Sequence, residues 1–560
     1  RRFTELFVVS EHTPQHSDVV HGFQLEETTD LPEIAAVGRR FRHLRSGARL
    51  LHLDVKDEEH LFVAAFRTPP PDDTGLPHIL EHTVLCGSRR YPVKDPFVEM
   101  LKSSLATFLN AITWPDRTIY PCASANLRDF RNLMAVYCDA VFHPLLTEDH
   151  FRQEGHHLAL SDPERLDSPL VIRGVVFNEM KGAYSTLDGM LERVAVSALF
   201  PDTPAGRDSG GWPEAIPSLT YEQFVRFHRE YYHPSNAYLI LYTSSPLEPH
   251  LKFLNEEVLA PFERREPPPP IPLQPRWTSP RRIEAAYPAL PGETPEQRSA
   301  VTLDWLTHPS EDIETSVALS VASQYLLGHA GSPLRRALED THWGDEVISS
   351  VSAARREATF TVGLLGTDAA RASDLEALVV EVLRREVARG FDRDQLDAAF
   401  HQFELAALHI PELFPLMVAD RVLLLWLYGA SPWTWLNIRG RLAELKDRMK
   451  REPRVIERAV EQWLIENPHR VTVTLRPDPD LNRRREEEWA RRLEERRRAM
   501  SPEELERLAR ETRELEARTA APNPPEALAT LPRLSRADVP PKPRLIPTTV
   551  EMVGNSPLLR

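Results

Sequence analysis

Cysteine is nearly missing from this sequence: Cys86, Cys122 and Cys138 are the only three in 560 residues. So low and odd a count argues against a disulfide framework and favours a reducing compartment. Long apolar runs are missing too. The nearest, at 421–428, falls far short of the roughly 20 residues of a membrane-spanning helix and reads as a buried helix. There is no basic excess. A net charge of -15 argues against a nucleic-acid partner, which would call for a basic face. Neither a nucleic-acid nor a membrane partner is expected. Glycine is scarce at 22, whereas proline is abundant at 50 and concentrated in a few linker-like stretches. The chain starts at Arg1 rather than Met, as expected where a leader has been removed or left out. What remains is ordinary for a soluble globular protein, with 41% hydrophobic and 27% charged residues. The length allows about three to four domains at roughly 150 residues each.

Residues 1 to about 35 read as an extended lead-in. Apolar runs of strand length follow at 50–55 and 61–66. A proline-rich break at 69–75 leads into a helix starting at Leu76-Pro77, where proline suits the first turn. The pattern then predicts a helix near 95–105, strands over 107–113 and 118–123, and helices through 126–182. A helix over 221–232 and a strand over 237–242 follow. Residues 264–291 are dense in proline and read as a stiff linker. The order then repeats: strand 300–306, helices 313–327 and 332–339, strands 346–353 and 359–365, more helices, and a closing strand 471–475. This predicts a duplicated α/β unit. Residues 482–519 are almost all Arg, Glu, Leu and Ala and predict two helices joined near Met500. Ser501-Pro502-Glu503-Glu504 is a helix start, with serine as cap and Glu504 returning the hydrogen bond.

The chemistry centres on His78-Ile79-Leu80-Glu81-His82. Positions i and i+4 share a helix face, so both imidazoles can converge on one zinc ion. Glu81 lies on a neighbouring part of that face. There it can take a proton from a water activated by the metal without itself being a ligand. This His-x-x-Glu-His order is the inverzincin signature. A catalytic zinc needs a third protein ligand, and the candidates are Cys86, Glu154, His156, His157 and Glu179. Cys86 reads as a buried thiol. His156 and His157 are adjacent and point in different directions. Glu179 sits beside an apolar run, where a carboxylate needs a cation; a salt bridge to Lys181 or Arg173 is its alternative fate.

The segment from Leu76 to Ser88 resembles the active-site segment of presequence proteases, in the pitrilysin and insulysin superfamily. Further blocks match in order: Tyr91 to Phe97, Phe108-Leu109-Asn110-Ala111, Gly174 to Gly182, and Tyr232 to Ala237. The resemblance is strongest over 75–245. It implies His78, His82 and Glu179 as ligands of one Zn2+ per chain and Glu81 as general base. It also implies Asn110 and Ala111 as contacts to a peptide that adds to a sheet edge. Phe108 and Leu109 read instead as an edge strand packed on the core. The implied fold is α+β: two tandem homologous α/β domains, each a mostly antiparallel sheet with helices on one side, then a helical hairpin. The expected boundaries are 1–265, a linker 266–295, 296–480, a hairpin 481–520, and a proline-rich extended segment 521–560.

The implied activity is a zinc metalloendopeptidase that degrades short unstructured peptides, targeting peptides included, inside a closed chamber. Presequence proteases are about twice as long, however, and the Arg and Tyr that their second half supplies have no counterpart in this chain. The expected partners are therefore a peptide substrate and a C-terminal half, from the same gene or as a separate chain. Alone, this chain is expected to bind zinc and cleave poorly. One alternative is a non-catalytic scaffold half. Another is a zinc amidase or a structural zinc protein with no peptide chamber. Arg, Ala and Pro enrichment suggests a bacterial cytoplasm, with an organelle matrix as the alternative.

Overall fold

The computed structural model describes residues 18–290, 292–541, 549–554 and 556–559. The part of the expected lead-in before residue 18 lies outside the described residues. The rest of it is sheet: Phe23–Leu31 and Ala36–His43 pair antiparallel, with Phe23, Leu25 and Phe41 turned into the core.

The protein is α+β, built from two sheets with their helices and a helical hairpin. The first sheet runs Val19–Val20, Phe23–Leu31, Ala36–His43, Arg49–Asp54, Ala237–Thr243, His60–Arg67, Arg117–Ser124 and Ala106–Leu109. Only Ala237–Thr243 against Arg49–Asp54 is parallel. The second sheet runs Arg281–Pro288, Arg470–Asp478, Ser299–Pro309, Glu357–Thr367 and Glu346–Ser352. Its one parallel pair, Arg281–Pro288 with Arg470–Asp478, occupies the same place. In both sheets the closing strand slots in beside the opening strand, so the path is duplicated, as the repeated pattern predicts.

Two expectations need correction. The proline-rich stretch is not linker throughout, because Arg281–Pro288 is the opening strand of the second sheet. An edge strand there tolerates a proline at its end, and its exposed arginines hide the alternation. Nor is 126–182 all helical. His157–Leu160 and Leu170–Arg173 form an antiparallel hairpin between helices Glu148–Glu154 and Val175–Ala183.

His60–Arg67 and Arg117–Ser124 are buried at every position, as strands covered on both faces must be. Phe62, Ala64 and Phe66 face the first unit's own helices. Leu61, Val63 and Ala65 instead meet Val418, Val422 and Trp426, on helix Phe414–Trp426 of the second unit. The exchange is reciprocal. Helix Leu187–Leu199 of the first unit lays Leu191, Ala195 and Leu199 against Ala300, Val471 and Val473 of the second sheet. Each large side chain so buried contributes roughly 1.5–3 kcal/mol, so the two units share their cores.

The hairpin consists of Leu481–Ala499 and Pro502–Ala520, with Ser501 and Glu504 forming the expected capping box. Its second helix packs Leu508 and Ala509 on Leu160 and Leu170 of the small β-hairpin. Beyond it, the segment expected to be extended contains the short helix Pro525–Leu528 and a strand pair, Val550–Val553 with Ser556–Leu559. No helix among the described residues is long and apolar enough to cross a membrane.

Candidate metal centre

Helix Leu76–Val84 leaves the end of strand His60–Arg67 through the break at 68–75. It starts on Gly75, whose φ of 68° is left-handed, and a Cβ there would stand 2.5 Å from the Gly210 carbonyl oxygen. Glycine therefore lets the loop at 208–211 touch the helix start. Leu76, Ile79, Leu80 and Val84 anchor the helix in the core. Its other side carries His78 and His82, with ring centroids 4.9 Å apart.

Glu179 arrives on helix Val175–Ala183. Its oxygens lie 3.8 Å from His78 Nε2 and 3.8 Å from His82 Nε2. Ligand atoms of these three residues all fall within 4.8 Å of one another. Arg173, one alternative partner for Glu179, is engaged elsewhere, with Glu516 and the Ser161 carbonyl.

The other candidates for a third ligand are placed differently. Glu154 bonds His82 Nδ1 at 3.2 Å, on the ring nitrogen that faces away from Glu179. His156 Nε2 bonds the Leu219 carbonyl at 2.9 Å, and His157 Nδ1 bonds the Arg152 carbonyl at 2.6 Å. Cys86 is buried with its thiol on the His82 carbonyl, and burial beside Glu154 pushes its pKa well up.

Each imidazole is held at its other nitrogen. His78 Nδ1 donates to the Gly210 carbonyl at 3.0 Å. Asp208 fixes that loop, accepting from Tyr184 (2.5 Å), Arg193 (2.9 Å) and the Gly211 amide (3.0 Å). Sequence reasoning missed this support; the paired glycines of Asp208-Ser209-Gly210-Gly211-Trp212 were its only signal. Such partners fix the tautomer and leave Nε2 free to bind a metal.

Glu81 is buried, and burial raises its carboxyl pKa. His78, a Thr113 hydroxyl bond and His82 pull it back, and Glu179 pushes it up again. For His82, burial acts to lower the pKa. The Glu154 bond and the charges of Glu81, Glu154 and Glu179 outweigh it, so the net shift is upward. Among the described residues, none of these three carboxylates pairs with a lysine or arginine. Three acids around two imidazoles form a site short of positive charge. The donor set of two nitrogens and one oxygen suits zinc, whose ligands at about 2.0–2.1 Å stand roughly 3.4 Å apart. The 3.8 Å separations need only a small contraction. Glu179 is about half exposed, so the cluster opens toward solvent.

Asn110 is exposed and Ala111 partly so, between Ala106–Leu109 and Ile112–Thr113 at the free edge of the first sheet. The Asn110 amide bonds the Pro121 carbonyl at 3.3 Å, and Thr113 of the same stretch reaches Glu81. The edge thus runs beside the His78–His82 helix.

Family profiles match in three blocks. Insulinase (Peptidase family M16) covers 67–171, and Peptidase M16 inactive domain covers 218–403. A profile for the region associated with subfamily C of these peptidases covers 475–560. The chain belongs to the M16 peptidase family. The Arabidopsis thaliana protein named presequence protease 1, chloroplastic/mitochondrial, is 39% identical over 96% of this chain and 51% of its own length. Protein HypA of Clostridium perfringens is 36% identical over 95% of this chain and 55% of its own. This M16 chain therefore spans about half the length of the curated relatives it matches. A solved protease from Helicobacter pylori shares the fold, with a TM-score of 0.59 at 17% identity over 80% of this chain and 99% of that one.

Proposed function

We propose that this chain is the metal-bearing half of a zinc metalloendopeptidase acting on short unstructured peptides. The observation that carries the reading is the convergence of His78, His82 and Glu179, with Glu81 on the same helix as the imidazoles. His78 and His82 would hold one zinc ion through Nε2 and Glu179 through a carboxylate oxygen, leaving a fourth position open. A zinc ion held there supplies Lewis acidity, polarising a peptide carbonyl and acidifying water. Glu81 takes the proton of the attacking water and delivers it to the departing amine. Its buried, upward-shifted carboxyl suits an exchange in both directions. Asn110 and Ala111 lie on the exposed edge, where a peptide can add as a strand through main-chain bonds.

The names of the presequence protease relatives support targeting-type peptides as substrates. The half-length match supports a C-terminal half as partner, whose closure would exclude water and folded proteins. The clostridial relative supports a bacterial cytoplasm as the compartment.

The test is Glu81→Gln in the chain mixed with the C-terminal half. Bound zinc stays at one per chain, while kcat on a short peptide falls about 10²- to 10⁴-fold. A variant that cleaves at the parent rate ends the hydrolase reading. The unmixed parent chain is expected to bind zinc and cleave poorly.

A further inference from the structure

The hydrogen bond on His82 Nδ1 does not end at Glu154. Glu154 is buried, with one carboxylate oxygen on His82 at 3.2 Å and the other accepting from Gln153 Nε2 at 2.8 Å. The Gln153 carbonyl oxygen in turn accepts from the Thr519 hydroxyl at 3.0 Å. Every donor and acceptor along this line is consistent: hydroxyl to amide oxygen, amide N–H to carboxylate, imidazole N–H to carboxylate. Thr519 is in the last turn of the second hairpin helix, Pro502–Ala520. A four-member relay therefore joins the inter-half connector to a candidate metal ligand.

Independent contacts hold the relay's two ends together. Arg518 pairs with Asp149 at 2.7 Å, and Arg152 with Glu511 at 3.6 Å, both bridging the Glu148–Glu154 helix to the hairpin. Lys94 donates to the Arg518 and Ala521 carbonyls at the helix C-terminus, where a cation is favoured. Gly174 permits the close approach behind the site: a Cβ there would stand 2.0 Å from the Gly155 carbonyl oxygen, just past the end of the Glu154 helix.

We propose that Glu154 is a positioning residue for the metal, and that Gln153 and Thr519 hold it, so that the connector hairpin sets metal affinity. This rests on the metal reading of His78, His82 and Glu179. Physically, an anchored carboxylate on Nδ1 fixes the imidazole plane and raises the basicity of Nε2, and losing such a partner typically costs about 10- to 100-fold in affinity. Thr519, two bonds further out, controls only how firmly Glu154 is held.

The experiment measures zinc dissociation constants of the full chain by competition with a chromophoric chelator. Apo-protein melting and the visible spectrum of the cobalt(II)-loaded form are recorded alongside. Glu154→Ala is expected to weaken zinc about 10- to 100-fold and to shift the cobalt bands. Glu154→Gln keeps an acceptor and should recover part of the loss. Thr519→Val is expected to weaken zinc severalfold with unchanged apo melting. Arg513→Ala removes a hairpin contact outside the relay, to the Pro163 carbonyl, and should leave the constant unchanged. A parent that binds no zinc defeats the metal reading itself. A zinc-binding parent with Glu154→Ala at the same constant overturns the relay alone. So does an Arg513→Ala loss equal to that of Thr519→Val, since any hairpin contact would then serve.

Discussion

The two sheet units follow one path, yet only the first gathers a metal-type cluster among the described residues. The helix after the second strand of the repeat decides the difference. In the first unit it is Leu76–Val84, short, with His78 and His82 on its open side. In the second it is Ile313–Leu327, with Val317, Val321, Leu326 and Leu327 buried around it, so it has no face to spare for ligands. The carboxylates differ in the same way. Glu376 of the second unit is matched by Arg282 and Arg470, and Glu357 by Arg276. Glu81, Glu154 and Glu179 have only imidazoles and neutral groups beside them. Duplication supplied the scaffold; withholding the arginines left a place for a cation.

The largest expected effect breaks this contrast directly. His82→Ala should weaken zinc more than about 100-fold, beyond what an outer partner typically costs. His308→Ala, beside the corresponding helix of the second unit and bonded to Ser316, should leave zinc binding intact. Chelator competition reads both, and equal losses would show that the metal is not confined to the first unit.

A smaller effect probes how separate the units are. Trp426→Ala removes a side chain that the second unit packs on the first sheet, costing about 3–5 kcal/mol. Leu199→Ala, on the helix given in return, should cost about 2–5 kcal/mol. Because the cores are shared, each should move a single urea transition. Two resolved transitions would mean that the units stand independently.

The smallest concerns the one acid that breaks the second unit's pattern. Asp304 is buried with only the Thr302 and Thr361 hydroxyls, each at 2.6 Å, and burial pushes its pKa from 3.8 up to about 6. A raised folded-state value means its stability contribution is complete below about pH 4 and is lost as pH rises through about 6. The loss amounts to about 3 kcal/mol at about 1.4 kcal/mol per unit. Asp304→Asn should therefore stabilise the protein at pH 7.5 and change little at pH 4, as urea titrations at both values would reveal. A gain of the same size at both would exclude ionisation as the cause.

Much of this was legible without coordinates. The Ser501 capping box, the repeated element order and the His-x-x-Glu-His spacing are local patterns, and the backbone expresses them wherever the segment sits. The strand Arg281–Pro288 was not legible, because prolines and exposed arginines mask an edge strand whose partner, Arg470–Asp478, is far away in sequence. Helix Phe414–Trp426 reads as buried, but no local signal says that it covers the other unit's sheet.

By itself, the sequence determined that two imidazoles and a carboxylate share one helix, because helical periodicity places i and i+4 together wherever the helix lies. Spacing could not choose among Cys86, Glu154, His156, His157 and Glu179. Tertiary structure turned Glu154 to the Nδ1 side of His82 and Glu179 to the Nε2 side. The reason is packing: glycines at 75 and 174 let backbones approach where any side chain would clash, and those approaches decide which carboxylate meets which nitrogen.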